Sequence, residues 1–130
     1  MMATKPKVLV VDDDAGIRET MTDILTLEGY AVQAVADGEA AVALCRTTHF
    51  DFALLDIRMP GMDGVETLRQ IKALDATVRV IMITGYDVGP LAAAAMSAGA
   101  EAIFRKPLDV ATFLPLLLAE ADAAMEDASG

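Results

Sequence analysis

Asp12, Asp13 and Asp14 follow one apolar run, Asp56 closes another, Thr84 closes a third, and Lys106 stands just after a fourth. If folding gathers these positions, carboxylates collect at one place and repel. At an effective dielectric of about 20, two unit charges about 4 Å apart cost roughly 4 kcal/mol. A divalent ion and the Lys106 ammonium together would balance Asp12, Asp13 and Asp56. Hard carboxylate oxygens, with no His or Cys among them, favour Mg2+ over zinc. An acid held in such a cup can attack an electrophilic phosphorus in line, because the positive groups neutralise the phosphoryl oxygens, and the product would be an aspartyl phosphate. Thr84 adds a hydroxyl donor, and Gly85 beside it leaves room for the group.

Each residue also has an ordinary use. An Asp triplet after a strand serves as a turn and helix cap, Asp14 being the expected N-cap. A single lysine is usually solvated, and a threonine at a strand end is usually only a hydroxyl. The chemical reading rests on their convergence, which the intervening elements must produce.

Short apolar runs alternate with longer amphipathic ones, each run ending in a polar or glycine-containing turn. Strands are expected at Lys7–Val11, Tyr30–Val35, Phe52–Leu55, Arg79–Ile83 and Ala102–Phe104. The first helix is marked by Ile17, Met21, Ile24 and Leu25 on one face and by Gly29 as its end. After a turn at Asp37-Gly38, Glu39–Arg46 is expected to bury Ala41, Leu44 and Cys45. Val65, Leu68, Ile71 and Leu74 mark the third helix, and Leu91–Ala98, ended by Gly99, the fourth. Val110, Phe113, Leu114, Leu117, Leu118 and Ala121 mark the fifth, where Pro115 demands a later start or a bend. Gly61 and Gly64 should relax the backbone after Asp56. Five near-continuously apolar strands alternating with five helices imply a doubly wound α/β fold, a parallel sheet covered on both faces. In such sheets ligands bind beyond the carboxyl ends of the strands, where these polar residues lie.

The 130 residues suit one domain, 1–130, with a core of about 6–125 and an acidic tail at 126–130. A content of 55% hydrophobic and 23% charged residues argues against disorder. The net charge of −10 disfavours direct binding to nucleic acid or an anionic membrane, both of which need a basic footprint. One cysteine cannot form an internal disulfide, and the start MMATKPKVLVVDDD has too short an apolar run for a signal peptide, so a cytoplasmic location is expected. The longest apolar stretch elsewhere, Val110–Ala119, is too short to span a bilayer. His49 and Cys45 are read as incidental, Cys45 in the core.

The segments VVDDD, LLDIRMPGMDG, IMITG and FRKP together resemble the motifs of the response-regulator receiver family, in order and over nearly the whole chain. The resemblance implies a (βα)5 flavodoxin-like fold with strand order 2-1-3-4-5, and two-component signalling. It implies that Asp56 is the phosphoacceptor, Asp13 a direct Mg2+ ligand, Asp12 a ligand through water, and Arg58 a ligand through its backbone carbonyl. Thr84 would follow the phosphoryl group, Lys106 would bind it, and Lys106-Pro107 would be cis. The donor would be a sensor histidine kinase or histidine phosphotransfer protein. The output would be a change at the face of the fourth helix, fifth strand and fifth helix, read by an effector that the sequence does not name, and that face also serves many relatives for homodimers. Such a module is no enzyme beyond its own phosphorylation and slow dephosphorylation.

One position departs from the family. Three places before the lysine, where an aromatic residue is usual, stands Ile103, while Phe104 should point to the opposite face. The customary threonine–aromatic switch is therefore expected to be weakened. Arg58 and Tyr86, two places after Asp56 and Thr84, are bulky and should slow hydrolysis by occlusion. Two rival readings exist. A dehalogenase-type hydrolase would use the Asp12-Asp13-Asp14 stretch, but it needs a cap and a second acidic pair where this chain has Thr84-Gly85-Tyr86. A docking-only receiver would not need the intact acids and lysine. The chain shows no DNA-binding helix-turn-helix after its fifth helix, so a single-domain regulator and a piece of a longer one are equally open.

Overall fold

In the computed structural model, residues 5–57, 59, 61–85 and 89–105 are described. Five strands, β1 (Lys7–Val11), β2 (Ala31–Val35), β3 (Phe52–Asp56), β4 (Arg79–Thr84) and β5 (Ala102–Arg105), form one sheet in the order β2-β1-β3-β4-β5. All four pairings are parallel. Between them run α1 (Ala15–Leu27), α2 (Gly38–Cys45), α3 (Gly64–Leu74) and α4 (Gly89–Ser97). The expected fifth helix, with Pro115, lies outside the described residues.

Alternation along the strands sorts the side chains into two cores. Leu9, Val11, Ala53, Leu55, Val80 and Met82 pack with α2, α3 and α4, through residues such as Val42, Leu68 and Ala95. Val8, Val10, Phe52, Leu54, Ile81 and Ile83 pack on the opposite face with Met21 and Leu25 of α1. Tyr30 meets Phe52 edge-on there, with ring centroids 6.5 Å apart. The central strands β1, β3 and β4 are buried on both faces, which explains why they read as unbroken apolar runs.

Local signals set the helix ends. Asp14 caps α1 by accepting from the Gly16 and Ile17 amides, Asp37 caps α2 through Ala40, and Asp63 caps α3 through Glu66. The expected Asp37-Gly38 turn is thus the cap and first residue of α2. Gly29 and Gly99 end α1 and α4 with φ of +97° and +111°. The amides that follow, Tyr30 and Ala100, reach back to Leu25 and Ala95.

Leu74, the last residue of α3, is 45% exposed. Two core expectations need correction. In α2, Val42 is buried while Leu44 and Cys45 are only half-buried at the rim of the core. Burial, and secondarily the Asp75 charge, still raise the Cys45 thiol above its ordinary pKa.

Candidate functional site

Register carries the site residues to one edge. Val11 pairs with Leu55, so Asp12 leaves β1 level with Asp56 at the end of β3. Asp56 in turn pairs with Ile83, so Thr84 lies one residue beyond it on β4. Asp12, Asp56 and Thr84 are 2%, 5% and 2% exposed, whereas Asp13 faces solvent. One carboxylate oxygen from each of Asp12, Asp13 and Asp56 lies within 4.8 Å of the others. Ligand oxygens on opposite sides of Mg2+ stand about 4.2 Å apart, twice the usual bond length, so carboxylates gathered this closely can converge on one such ion, and their hardness suits it. Asp14 stays outside the cluster as the helix cap. Arg58, Tyr86, Lys106 and Pro107 lie outside the described residues, as does the Lys106-Pro107 bond.

Backbone contacts hold the acids in place. The Asp12 amide donates to the Val35 carbonyl at 3.2 Å, and its side chain accepts from the Asp14 amide at 2.9 Å, forming a tight turn. Arg18, one turn into α1, donates from Nη1 to the Asp12 carbonyl at 2.7 Å, a charge-assisted bond in a half-buried setting. Beyond Asp56, the Ile57 amide donates to the Ile83 carbonyl at 3.0 Å and the Gly64 amide to the Ile57 carbonyl at 2.8 Å. Gly64 does more than relax this turn. A Cβ there would overlap the Asp56 carbonyl oxygen and lie 2.7 Å from Ile57 Cα, so only glycine lets α3 start so close to the acid. Gly61 does adopt the left-handed conformation expected of a relaxed turn, with φ +76°.

Sequence reading missed Arg18 and Glu39, which touch the loops of the site rather than its centre. Both sit on helix surfaces, where a charge usually signals solvation. Ile103 and Phe104 follow the alternation expected of β5, Ile103 packing with the α2–α4 core and Phe104 with the α1 core. The place usually held by an aromatic residue is therefore aliphatic on the face that α4 covers.

A parallel doubly wound sheet with three carboxylates gathered at its carboxyl edge can hold a hard divalent cation beside a nucleophilic acid. The response regulator receiver domain model matches residues 8–117, and the chain belongs to that family. It is 36% identical over 104 residues to sporulation initiation phosphotransferase F of Bacillus subtilis, covering 80% of this chain and 84% of that one. Transcriptional regulatory protein FixJ of Bradyrhizobium diazoefficiens is 34% identical, over 83% of this chain but only 53% of its own length. Among solved structures, a CheY-like response regulator receiver domain protein from Methanospirillum hungatei superposes with a TM-score of 0.91 at 31% identity, covering 95% and 99% of the two chains. The chain is thus a receiver domain of two-component signalling, a class that accepts phosphoryl groups and works with histidine kinases or phosphotransfer proteins. No described helix is long and apolar enough to cross a membrane.

Proposed function

We propose that Asp56 is the phosphoacceptor, that Mg2+ is its cofactor, and that the donor is a histidine kinase or a histidine phosphotransfer protein. The observation that carries this is the meeting of Asp12, Asp13 and Asp56 within 4.8 Å at the edge where β1 and β3 end. An Asp56 carboxylate oxygen attacks the phosphorus, the bond from phosphorus to the donor breaks, and the leaving group departs with the electron pair. Mg2+, when bound, neutralises charge on the phosphoryl oxygens. The residues that would hold it are Asp13 and Asp56, with Asp12 acting through water and Arg58 through its backbone carbonyl. The Thr84 hydroxyl donates to one phosphoryl oxygen, and the Lys106 ammonium pairs with another.

Beyond its own phosphorylation and slow dephosphorylation, this domain catalyses nothing, and Arg58 and Tyr86 slow the latter by excluding water. Residues 1–130 form a single receiver domain that works in the cytoplasm, without direct contact to membrane or nucleic acid. Movement of Thr84 and the loop after it reports to the face of α4, β5 and the fifth helix, where an effector or a second copy binds.

Incubation with acetyl phosphate, followed by peptide mapping, tests this reading. The expected result is one Mg2+-dependent phosphoryl group on Asp56, lost in Asp56→Asn. An adduct on Asp12 would indicate the dehalogenase-type reaction, and no Mg2+-dependent adduct a docking module.

A further inference from the structure

The loop from Asp56 to α3 is pinned near both ends by the Ile57 and Gly64 amides. A third tie comes from a different element. The Met62 amide donates to Oε1 of Glu39, the second residue of α2, at 3.1 Å across 23 residues of sequence. Gly61 lies against the same carboxylate, since a Cβ there would stand 3.1 Å from Glu39 Oε1. Gly38 is buried beneath the loop: a Cβ on it would overlap Thr67 Oγ1 and stand 3.2 Å from both the Met62 carbonyl oxygen and its Cβ. Three separate features thus seat the start of α2 on residues 61 and 62.

We infer that Glu39 is a positioning residue for the metal site, fixing through the Met62 amide the course of the loop that leaves Asp56. This rests on the reading of Asp56 and Mg2+ given above. Mg2+ tolerates little departure from octahedral geometry, so the Asp56 carboxylate serves it only if the chain that leaves it, tied at Ile57, Met62 and Gly64, is already in place. Removing the Glu39 carboxylate frees the loop to wander, and part of the binding energy of the ion then goes into ordering it. Glutamine keeps the acceptor oxygen and loses only the charge.

The full chain, Glu39→Ala and Glu39→Gln are compared in two measurements: amide exchange at Met62 without metal, and Mg2+ affinity from the Asp13 and Ile57 amide shifts. Glu39→Ala should speed Met62 exchange and weaken Mg2+ binding by about tenfold, the lower end of effects seen for groups that support metal ligands. Glu39→Gln should lose clearly less than Glu39→Ala in both, since it keeps the acceptor oxygen although a neutral bond is only about half as strong as a charge-assisted one. Unchanged Mg2+ affinity in Glu39→Ala overturns the inference alone. So does an equal loss in Glu39→Gln, because long-range charge would then explain it. If the native protein itself fails to bind Mg2+ at Asp56, the functional reading falls and takes this inference with it.

Discussion

Gly64 lies so close to Asp56 that a single added carbon on it would overlap the Asp56 carbonyl oxygen. The start of α3 and the end of β3 are therefore one rigid corner, closed by the bond from the Gly64 amide to the Ile57 carbonyl. Because the obstacle is backbone, no rotamer change relieves it. Gly64→Ala should lower stability by about 2–3 kcal/mol, the upper range for overpacked sites, and should weaken Mg2+ binding as Asp56 is displaced. Urea unfolding and a metal titration check both effects. Gly29→Ala meets no atom within 4 Å but must hold φ +97°, so it should cost only about 1 kcal/mol and leave the metal site unchanged.

Arg18 ties α1 to the Asp12 carbonyl. Loss of a hydrogen bond from a charged donor typically costs about 1.5–3 kcal/mol, less where water can replace it. Arg18→Ala is expected to lower stability by about 1 kcal/mol and to raise amide exchange at Asp12 and Asp14 more than at Asp56. Arg18→Lys should restore part of the stability. Equal exchange changes at all three acids would place the effect elsewhere.

How much of this was legible in the sequence depended on the range of the interaction. The five strands, the Asp14 cap, the glycine ends of α1 and α4 and the clustering of Asp12, Asp13 and Asp56 are local patterns or follow from the topology of a parallel sheet. Leu44 and Cys45 are only half-buried, against expectation, because helical periodicity identifies a face but not how far the opposing layer extends beneath it. The need for glycine at position 64, and the roles of Arg18 and Glu39, arise from contacts between separate elements that no spacing rule encodes.

Ile103 and Phe104 face different cores, so the place on the α4 face where the family resemblance implies an aromatic residue holds an aliphatic one. Conversion to the phosphorylated state should therefore move the α4–β5 surface less than in an Ile103→Tyr variant. Amide shifts with and without a phosphoryl mimic compare the two. Equal shifts would mean that Ile103 already transmits the change in full.

At the opposite edge of the sheet, bonds from the Thr77 hydroxyl and amide, at 2.6 and 2.9 Å, and then from His49 hold the Asp75 carboxyl down to about 2. The pKa is depressed in the folded chain, so the contribution is complete above the unfolded value of about 4 and disappears as pH falls through about 2. Asp75→Asn should therefore be less stable than the native protein at pH 7, and the gap should narrow between about pH 4 and 2. A gap that stays constant over that window would rule out the carboxylate as its source.

The central claim is that the carboxyl edge of the sheet is an anionic basin built for a divalent cation. Mn2+ prefers the same oxygen ligands as Mg2+ and broadens nearby NMR signals. Added in small amounts to the metal-free protein, it should first erase the amide signals of Asp12, Asp13, Asp56 and Ile57, and excess Mg2+ should restore them. Broadening that begins instead at the exposed acids of α1, such as Glu19 and Asp23, or that Mg2+ does not reverse, would contradict the account.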